Sequence, residues 1–169
     1  CRYQKKKYKN KIEIIIITLI DNGFYERELN KNGIKTYSLN INKKANFIYF
    51  FKKIHYLRNL IKDHNPDIIQ SWMYHSNFIT LFVPKAFFYR VFWNIRHSEL
   101  NFNISKVTTI LLSFICGLFS AVIPKKIIYC SEKSINFHET KHYYSKKKTI
   151  LINNGYNSKN YYPSKILRS

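Results

Sequence analysis

Short apolar runs alternate with segments of helical periodicity from residue 34 onward, and this alternation restricts the fold more than any other feature. The runs Ile34–Ile41, Asp67–Trp72 and Val91–Arg96 have the length and the β-branched or aromatic content of strands. The runs Lys126–Cys130 and Thr149–Ile152 follow the same pattern. Strands separated by helices pair in parallel, because a parallel connection needs a long crossover and the helix supplies it. The sequence therefore predicts an α/β fold, with a mostly parallel sheet and helices on both faces.

The segments between these runs carry helix signals. Helices are predicted at FYERELNKNG, Phe47–His64, Asn77–Tyr89, Ser105–Ile123 and Glu132–Tyr144. Gly33 is typical of the residue after a helix, Pro66 disfavours helix in the residue before it, and Pro84 should kink or split its helix. Ser131 is a plausible N-cap. A further buried strand is predicted over Ile12–Ile20.

One segment offers an alternative to a globular α/β chain. Val107–Ile123 contains no charged residue, and its length is at the lower limit for a membrane span. Its residues are nevertheless sorted by side: Thr109, Ser113, Cys116 and Ser120 recur on one side, and Leu111, Phe114, Leu118 and Val122 on the other. This order favours a helix that packs on a sheet or lies at a membrane surface. A small protein that spans a membrane through this segment remains the alternative.

The chain is strongly basic, with a formal charge of +20 from 29 Lys and Arg against 9 Asp and Glu. Lysine is spread along the chain instead of forming an arginine-rich patch, and Lys, Asn, Ile and Tyr are abundant together. This favours compositional bias over a nucleic-acid site. A basic surface still suits peripheral contact with an anionic membrane.

The cysteines and histidines indicate no metal site. Cys1, Cys116 and Cys130 are widely spaced, which favours reduced thiols and a cytoplasmic location. His138 and His142 lie four residues apart on a predicted helix, but no third ligand is evident, so we expect them on a solvated face. The Gly-rich phosphate loops, the Gly-x-Ser-x-Gly elbow and His-Glu-x-x-His do not occur.

Polar and aromatic side chains lie at the carboxyl ends of four predicted strands in succession. They are Trp72, Tyr74, His75, Ser76 and Asn77, then Arg96, His97, Ser98 and Glu99, then Ser131 and Glu132, and last Asn154 and Gly155. Ligands of open parallel sheets bind beyond the carboxyl ends of the strands, so these residues are candidates for binding. Ordinary structural roles are open for several: Ser76, Asn77 or Ser131 as helix caps, His75 as a structural histidine, and Asn154-Gly155 as a turn. Arg96 requires an anion or a carboxylate, and Glu99 is near enough in sequence to supply the latter.

Four motifs in this order and spacing resemble a known family. They are PDIIQSWMYHSN, VFWNIRHSEL, KIIYCSEKSINFH and TILINNGYNSKNYYP, which together cover Pro66–Pro163. They resemble the N-terminal half of bacterial family-4-type glycosyltransferases of the GT-B fold, which make lipopolysaccharide, capsule and related glycans. The resemblance implies a Rossmann-like domain that holds the sugar acceptor. In that family a C-terminal domain holds the nucleotide-sugar donor, and transfer retains the anomeric configuration.

The resemblance also assigns roles to residues. It implies acceptor binding by Trp72, Tyr74, His75, Asn77, Arg96 and His97, with His75 as the candidate catalytic group. It places Ser131, Glu132, Asn154 and Gly155 along the cleft, whereas Tyr156 and Asn157 depart from the family pattern. No metal and no cofactor are implied beyond the nucleotide sugar, which is a co-substrate.

The family pattern further implies a fragment. Residues 1–152 would be an incomplete acceptor domain that lacks its first strand, and residues 153–169 would cross towards an absent donor domain. Such a fragment is expected to be inactive alone, cytoplasmic, and peripheral at the inner face of the cell membrane. The competing hypothesis is a non-catalytic Rossmann-like module that binds an anionic ligand.

Overall fold

The computed structural model describes residues 1–8, 11–20, 25–41, 46–101 and 105–155. These residues form two compact units. The first comprises the described residues of Cys1–Pro66 together with Phe82–Pro84, and the second those of Asp67–Leu81 and Lys85–Ser169. Every strand pair in the described residues is parallel. The predicted α/β fold with parallel, Rossmann-like strand pairing is therefore confirmed.

The first unit contains a two-stranded sheet. Its elements are α1 (Arg2–Tyr8), β1 (Ile15–Thr18), α2 (Glu26–Lys31), β2 (Lys35–Ser38) and α3 (Phe47–His64). β1 and β2 pair in parallel, and α3 buries Ile54, Leu57, Leu60 and Ile61. The predicted strands Ile12–Ile20 and Ile34–Ile41 are thus both present, but each is shorter than its apolar run.

The ends of the helices in this unit follow from local chemistry. The Asn46 side chain accepts a hydrogen bond from the Tyr49 amide at 2.8 Å and thereby caps the start of α3. Asn65 adopts the left-handed conformation with φ of 39°, and α3 ends there because Pro66 disfavours a helical residue before it. Gly33 has φ of +68° after α2, as its sequence position predicted.

The second unit contains a four-stranded parallel sheet in the order β3-β4-β5-β6. Its elements are β3 (Ile69–Trp72), α4 (Met73–Ile79), β4 (Val91–Ile95), α5 (Val107–Phe119), β5 (Lys126–Tyr129), α6 (Glu132–Lys141) and β6 (Thr149–Leu151), with 3₁₀ helices at Lys85–Arg90 and Lys146–Lys148. A further 3₁₀ helix, Thr80–Phe82, follows α4, and its last residue belongs to the first unit. Strands adjacent in sequence are adjacent in the sheet. All four carboxyl ends therefore lie along one edge.

The predicted helix Asn77–Tyr89 is wrong in its start and in its type. α4 begins at Met73 directly after β3, whereas the predicted split at Pro84 is confirmed, because this residue separates two 3₁₀ segments. Met73 takes φ of +68°, which lets the strand turn into a helix without a loop. Tyr74 and His75 consequently lie in the first turn of α4 and not in a strand-end loop. Ser76 and Asn77 lie inside the helix, so neither caps it.

The core of the second unit lies between its sheet and its helices. Val91, Trp93 and Ile95 are fully buried and alternate along β4, so they share one face of the sheet. Trp93 donates its indole N–H to the Thr80 hydroxyl at 2.8 Å, which satisfies the one polar atom of this ring.

Helix α5 buries small side chains and exposes a row of large apolar ones, while Ile110 and Leu112 are partly buried against the core. Ser113, Cys116 and Gly117 are buried, whereas Leu111 and Leu118 are more than half exposed. In the described part of the chain, no helix is both long enough and apolar enough to cross a membrane.

Candidate functional site

Three of the predicted site residues meet at the carboxyl edge of the four-stranded sheet. The Arg96 guanidinium lies over the Trp72 ring, 5.0 Å from its centroid. The same guanidinium donates from Nη1 to Asn154 Oδ1 at 2.7 Å, although the two residues are 58 positions apart in sequence. Trp72 keeps 50 % of its surface exposed. We call Trp72, Arg96 and Asn154 the edge cluster.

The strand register explains why these side chains meet. Trp72 is the partner of Asn94 across the β3–β4 pair, so the two share one face of the sheet. Arg96 lies two residues beyond Asn94, and alternation carries it to the same face. Asn154 follows β6 by three residues. Each member of the edge cluster thus comes from the end of a different strand.

Asn94 is a buried polar residue beneath this edge and was not among the candidates predicted from sequence. It is 1 % exposed, and its Nδ2 donates to the Ser71 carbonyl at 3.2 Å. Its Oδ1 has no hydrogen-bond partner within the described residues. The signal was an asparagine inside the apolar run VFWNIR, where a strand buried on both faces has little use for an amide.

Arg96 takes a partner other than the predicted one. Glu99 forms an exposed ion pair with Lys133 at 3.0 Å, so it does not neutralise Arg96. The buried Nε of Arg96 has no acceptor among the described residues. The guanidinium is therefore held by a neutral amide and an aromatic face, which leaves its charge available to an anion.

The two remaining polar candidates on this side are exposed histidines. His75 lies in the first turn of α4, and His97 follows Arg96 after β4. The His97 ring lies 5.7 Å from the Tyr74 ring, and its carbonyl accepts a hydrogen bond from the Ser134 hydroxyl at 2.6 Å. Both imidazoles are accessible to a ligand.

Two predicted acceptor-binding residues lie in the interior instead. Tyr74 is 1 % exposed, and its hydroxyl lies 2.7 Å from His138 Nε2. Asn77 is fully buried and accepts from the Ser71 hydroxyl at 2.6 Å. Neither side chain lines an open surface in this structure. Their position follows from the start of α4 at Met73, which turns both residues towards the core.

The prediction that His138 and His142 lie on a solvated face is wrong, because both are buried. His138 Nδ1 lies 2.7 Å from the Ser134 carbonyl, which can only accept. Nδ1 therefore carries the proton, and Nε2 accepts from the Tyr74 hydroxyl. Burial lowers the pKa of His138 to about 4 and also lowers the pKa of His142, while it raises the pKa of Tyr74.

The residues predicted along the cleft divide into local and long-range roles. Ser131 accepts from the Ser134 amide at 3.2 Å and caps α6, which is its predicted structural role. Glu132 is exposed in the first turn of this helix, and Gly155 is exposed with open space around it. Of these residues, Asn154 alone is seen to join the edge cluster. Tyr156 and Asn157 lie outside the described residues.

The described residues contain no evident metal site, and comparison with known proteins identifies no family. Within the ranges that the structure describes, no three His, Cys, Asp or Glu side chains form a group suited to a metal ion. No protein-family model matches the chain. No curated protein matches its sequence either.

Proposed function

We propose that this chain is the acceptor-binding part of a retaining glycosyltransferase. The reaction would move a sugar from a nucleotide sugar to a glycan or a lipid-linked acceptor in cell-surface polysaccharide synthesis. The edge cluster is the observation that carries the proposal. In this proposal the donor half belongs to a separate segment or chain, and the protein works in the cytoplasm at the inner membrane face.

Trp72 supplies the surface for a sugar ring. Its indole is half exposed at the edge where ligands of parallel sheets bind. Aromatic side chains combine a large apolar face with low conformational freedom, which suits packing against the C–H face of a pyranose. Arg96 fixes the ring from one side, so little side-chain entropy is lost when a ligand binds.

Arg96 supplies the charge. Asn154 occupies Nη1, and the rest of the guanidinium fork can donate to a carboxylate or a phosphate. We therefore expect an acceptor with an acidic group beside the sugar that packs on Trp72. His75 and His97 are exposed at the carboxyl ends of β3 and β4, where their ring nitrogens can bond sugar hydroxyls.

The chemistry assigned to these residues is positioning and charge stabilisation. A retaining transfer between bound partners gains rate when the acceptor hydroxyl is held in line with the donor. His75 is the exposed group that we assign to the reacting side, where it can hold the acceptor proton. No side chain of this chain is assigned as a nucleophile, and no metal is required by the proposal.

A non-catalytic module that binds an anionic ligand is the second candidate. The observation that favours it is the charge of Arg96, for which no carboxylate partner is seen among the described residues. Both candidates predict binding at the edge cluster. They differ only in whether sugar transfer follows once a donor domain is supplied.

The two tryptophans allow a direct test of binding. Trp72 is half exposed at the site, whereas Trp93 is fully buried in the core. Titration of ¹⁵N-labelled protein with a glucuronate-containing oligosaccharide should shift the Trp72 indole resonance and leave that of Trp93 in place. The uncharged glucose oligosaccharide of equal length should cause a smaller shift. No shift with either sugar would contradict the proposal.

Substitution of Arg96 separates charge from shape. Arg96→Ala should weaken binding of the acidic oligosaccharide about tenfold or more, because a charge-assisted hydrogen bond is lost. Arg96→Lys should have an affinity between those of the wild-type chain and Arg96→Ala, since lysine keeps the charge but loses the planar fork. Lys133→Ala is the matched control, because it removes an exposed cation whose partner is Glu99. Binding without transfer after reconstitution with a donor domain would favour the non-catalytic module.

A further inference from the structure

The solvent-facing side of α5 is an uninterrupted apolar stripe. Val107, Leu111, Phe114 and Leu118 are 68, 56, 37 and 57 % exposed, and Val122 in the following turn is 67 % exposed. Spacings of three and four residues place them on one side of the helix. We call these five residues the outer stripe. From Val107 to Leu118 it extends about 16 Å along the helix.

The opposite side of α5 is fixed in place by close polar packing. The Ser113 hydroxyl lies 2.7 Å from His142 Nδ1, and the Cys116 thiol points to the Tyr74 carbonyl at 3.7 Å. A methyl group at Gly117 would overlap the His142 carbonyl oxygen. The helix therefore cannot rotate to bury its large side chains. The close packing of the opposite side thus fixes the outward position of the outer stripe.

The stripe continues onto a neighbouring segment. The Tyr143 ring packs edge-on against Phe114, with 5.5 Å between the centroids, and Tyr143 is itself 63 % exposed. An aromatic residue with a polar tip beside aliphatic residues is typical of side chains that lie at a membrane interface. The apolar surface is thus broader than one helix face.

The surroundings of the stripe are basic. No acidic residue occurs in the sequence between Glu99 and Glu132. Lys106 precedes α5 and is exposed, as are Lys125 after the helix and Lys141 near Tyr143. The formal charge of the whole chain is +20. An apolar strip between lysines complements a surface that is negatively charged outside and apolar beneath.

We propose that the outer stripe docks the protein on the surface of an anionic lipid bilayer. The apolar side chains would enter the headgroup boundary while the lysines remain among the phosphates. α5 would lie in the plane of the bilayer, because its 13 residues extend only about 20 Å against a hydrocarbon core of about 30 Å. The choice of a membrane as the binding partner rests on the proposed function. The outer stripe and the neighbouring lysines identify α5 as the element that contacts it.

Vesicle sedimentation with the full chain tests this proposal. The protein should bind vesicles of equal parts phosphatidylcholine and phosphatidylglycerol, and bind pure phosphatidylcholine more weakly. Leu111→Gln with Leu118→Gln should lower the partition coefficient about tenfold or more, because two apolar side chains lose their insertion energy at unchanged net charge. Ile20→Gln with Ile68→Gln is the matched control, since these residues are 67 and 65 % exposed outside the stripe.

The alternatives give different outcomes. Equal vesicle binding by the wild-type chain and by the Leu111/Leu118 variant would overturn the proposal, as would no binding at all. A concentration-dependent dimer that the same variant converts to monomers, without any effect on vesicles, would identify a second copy as the occupant and would also overturn it. The Trp72 indole titration is run on the same variant, so failure of membrane docking is distinguishable from failure of sugar binding.

Discussion

At the scale of single residues, burial determines the protonation state of His138. Its ring is fully buried, its Nδ1 proton is directed at the Ser134 carbonyl, and its Nε2 accepts from Tyr74. The neutral imidazole fits this arrangement, whereas a second proton on Nε2 would remove the acceptor for the Tyr74 hydroxyl. Burial is the largest cause of its low pKa of about 4.

Folding stability should therefore fall in mild acid. The pKa of His138 is lowered from 6.5 to about 4 in the folded chain, so the unfolded chain binds more protons between these values. The stabilising contribution is present above about pH 6.5 and is lost as the pH falls towards about 4. From pH 7 to pH 5 we expect a decrease of about 2 kcal/mol in the free energy of unfolding from His138. Urea unfolding at both pH values measures it.

Substitution assigns this effect to the buried ring. His138→Gln should reduce the acid-induced loss, and the remainder should include His142, whose pKa is also lowered by burial. His75→Gln is the control, because His75 is exposed. An unchanged pH profile in His138→Gln would show that another group is responsible.

Ser131 is a residue whose two proposed roles predict different results. If Ser131 acts as the cap of α6, Ser131→Ala should lower the free energy of unfolding by about 1 kcal/mol, and Ser131→Asp should retain most of that stability. As a cleft residue, it should change sugar affinity without changing stability. Thermal unfolding and the indole titration, run together, separate the roles. Thr108→Ala, which removes an exposed hydroxyl outside the candidate site, provides the reference.

At the scale of elements, the packing of α5 departs from simple amphipathicity. Helices usually bury their large apolar side and expose their polar side. α5 exposes Leu111 and Leu118, although Ile110 and Leu112 are partly buried against the core. Only small residues fit on the side that approaches the backbone near His142. Ser113 hydrogen-bonds to His142, and the Ser120 hydroxyl after the helix accepts from the Ser145 amide; these bonds replace part of the lost apolar contact.

Gly117→Ala tests this close approach. Alanine favours a helix over glycine by about 1 kcal/mol, so an exposed position would be stabilised. At Gly117 the overlap with the His142 carbonyl should outweigh this gain and lower the unfolding free energy by about 2 kcal/mol. Gly155→Ala, where the added methyl meets open space, should change it by less than about 0.5 kcal/mol. Chemical denaturation of both variants gives the comparison.

At the scale of the whole molecule, the two units differ in the size of their sheets. β4 and β5 have hydrogen-bonded neighbours on both sides, whereas β1 and β2 form a single pair. Amides of β4 and β5 should exchange with solvent at least about tenfold more slowly than those of β1 and β2, because their opening disrupts more of the core. Native-state hydrogen exchange measures this. Equal rates in both sheets would show that the chain opens as one cooperative body.

The sequence by itself determined the features that depend on near neighbours. The order of strands and helices implied the parallel pairing, because the helices serve as crossovers. That order, the end of α3 and the cap of α6 follow from periodicity and from the chemistry of Pro66 and Ser131. Each depends on atoms only a few residues apart, so the local pattern contains the information needed.

Only the tertiary structure decided which side of each element faces inward and which distant residues meet. The pattern of α5 reveals two sides, but close packing at Gly117 places the small side against the core. The same holds for His138, which is buried because Tyr74 supplies a donor from 64 positions away. Arg96 pairs with Asn154 and not with nearby Glu99, because the sheet brings the ends of β4 and β6 to one edge. Such contacts depend on how the elements are arranged in space, and periodicity within one element carries no record of that arrangement.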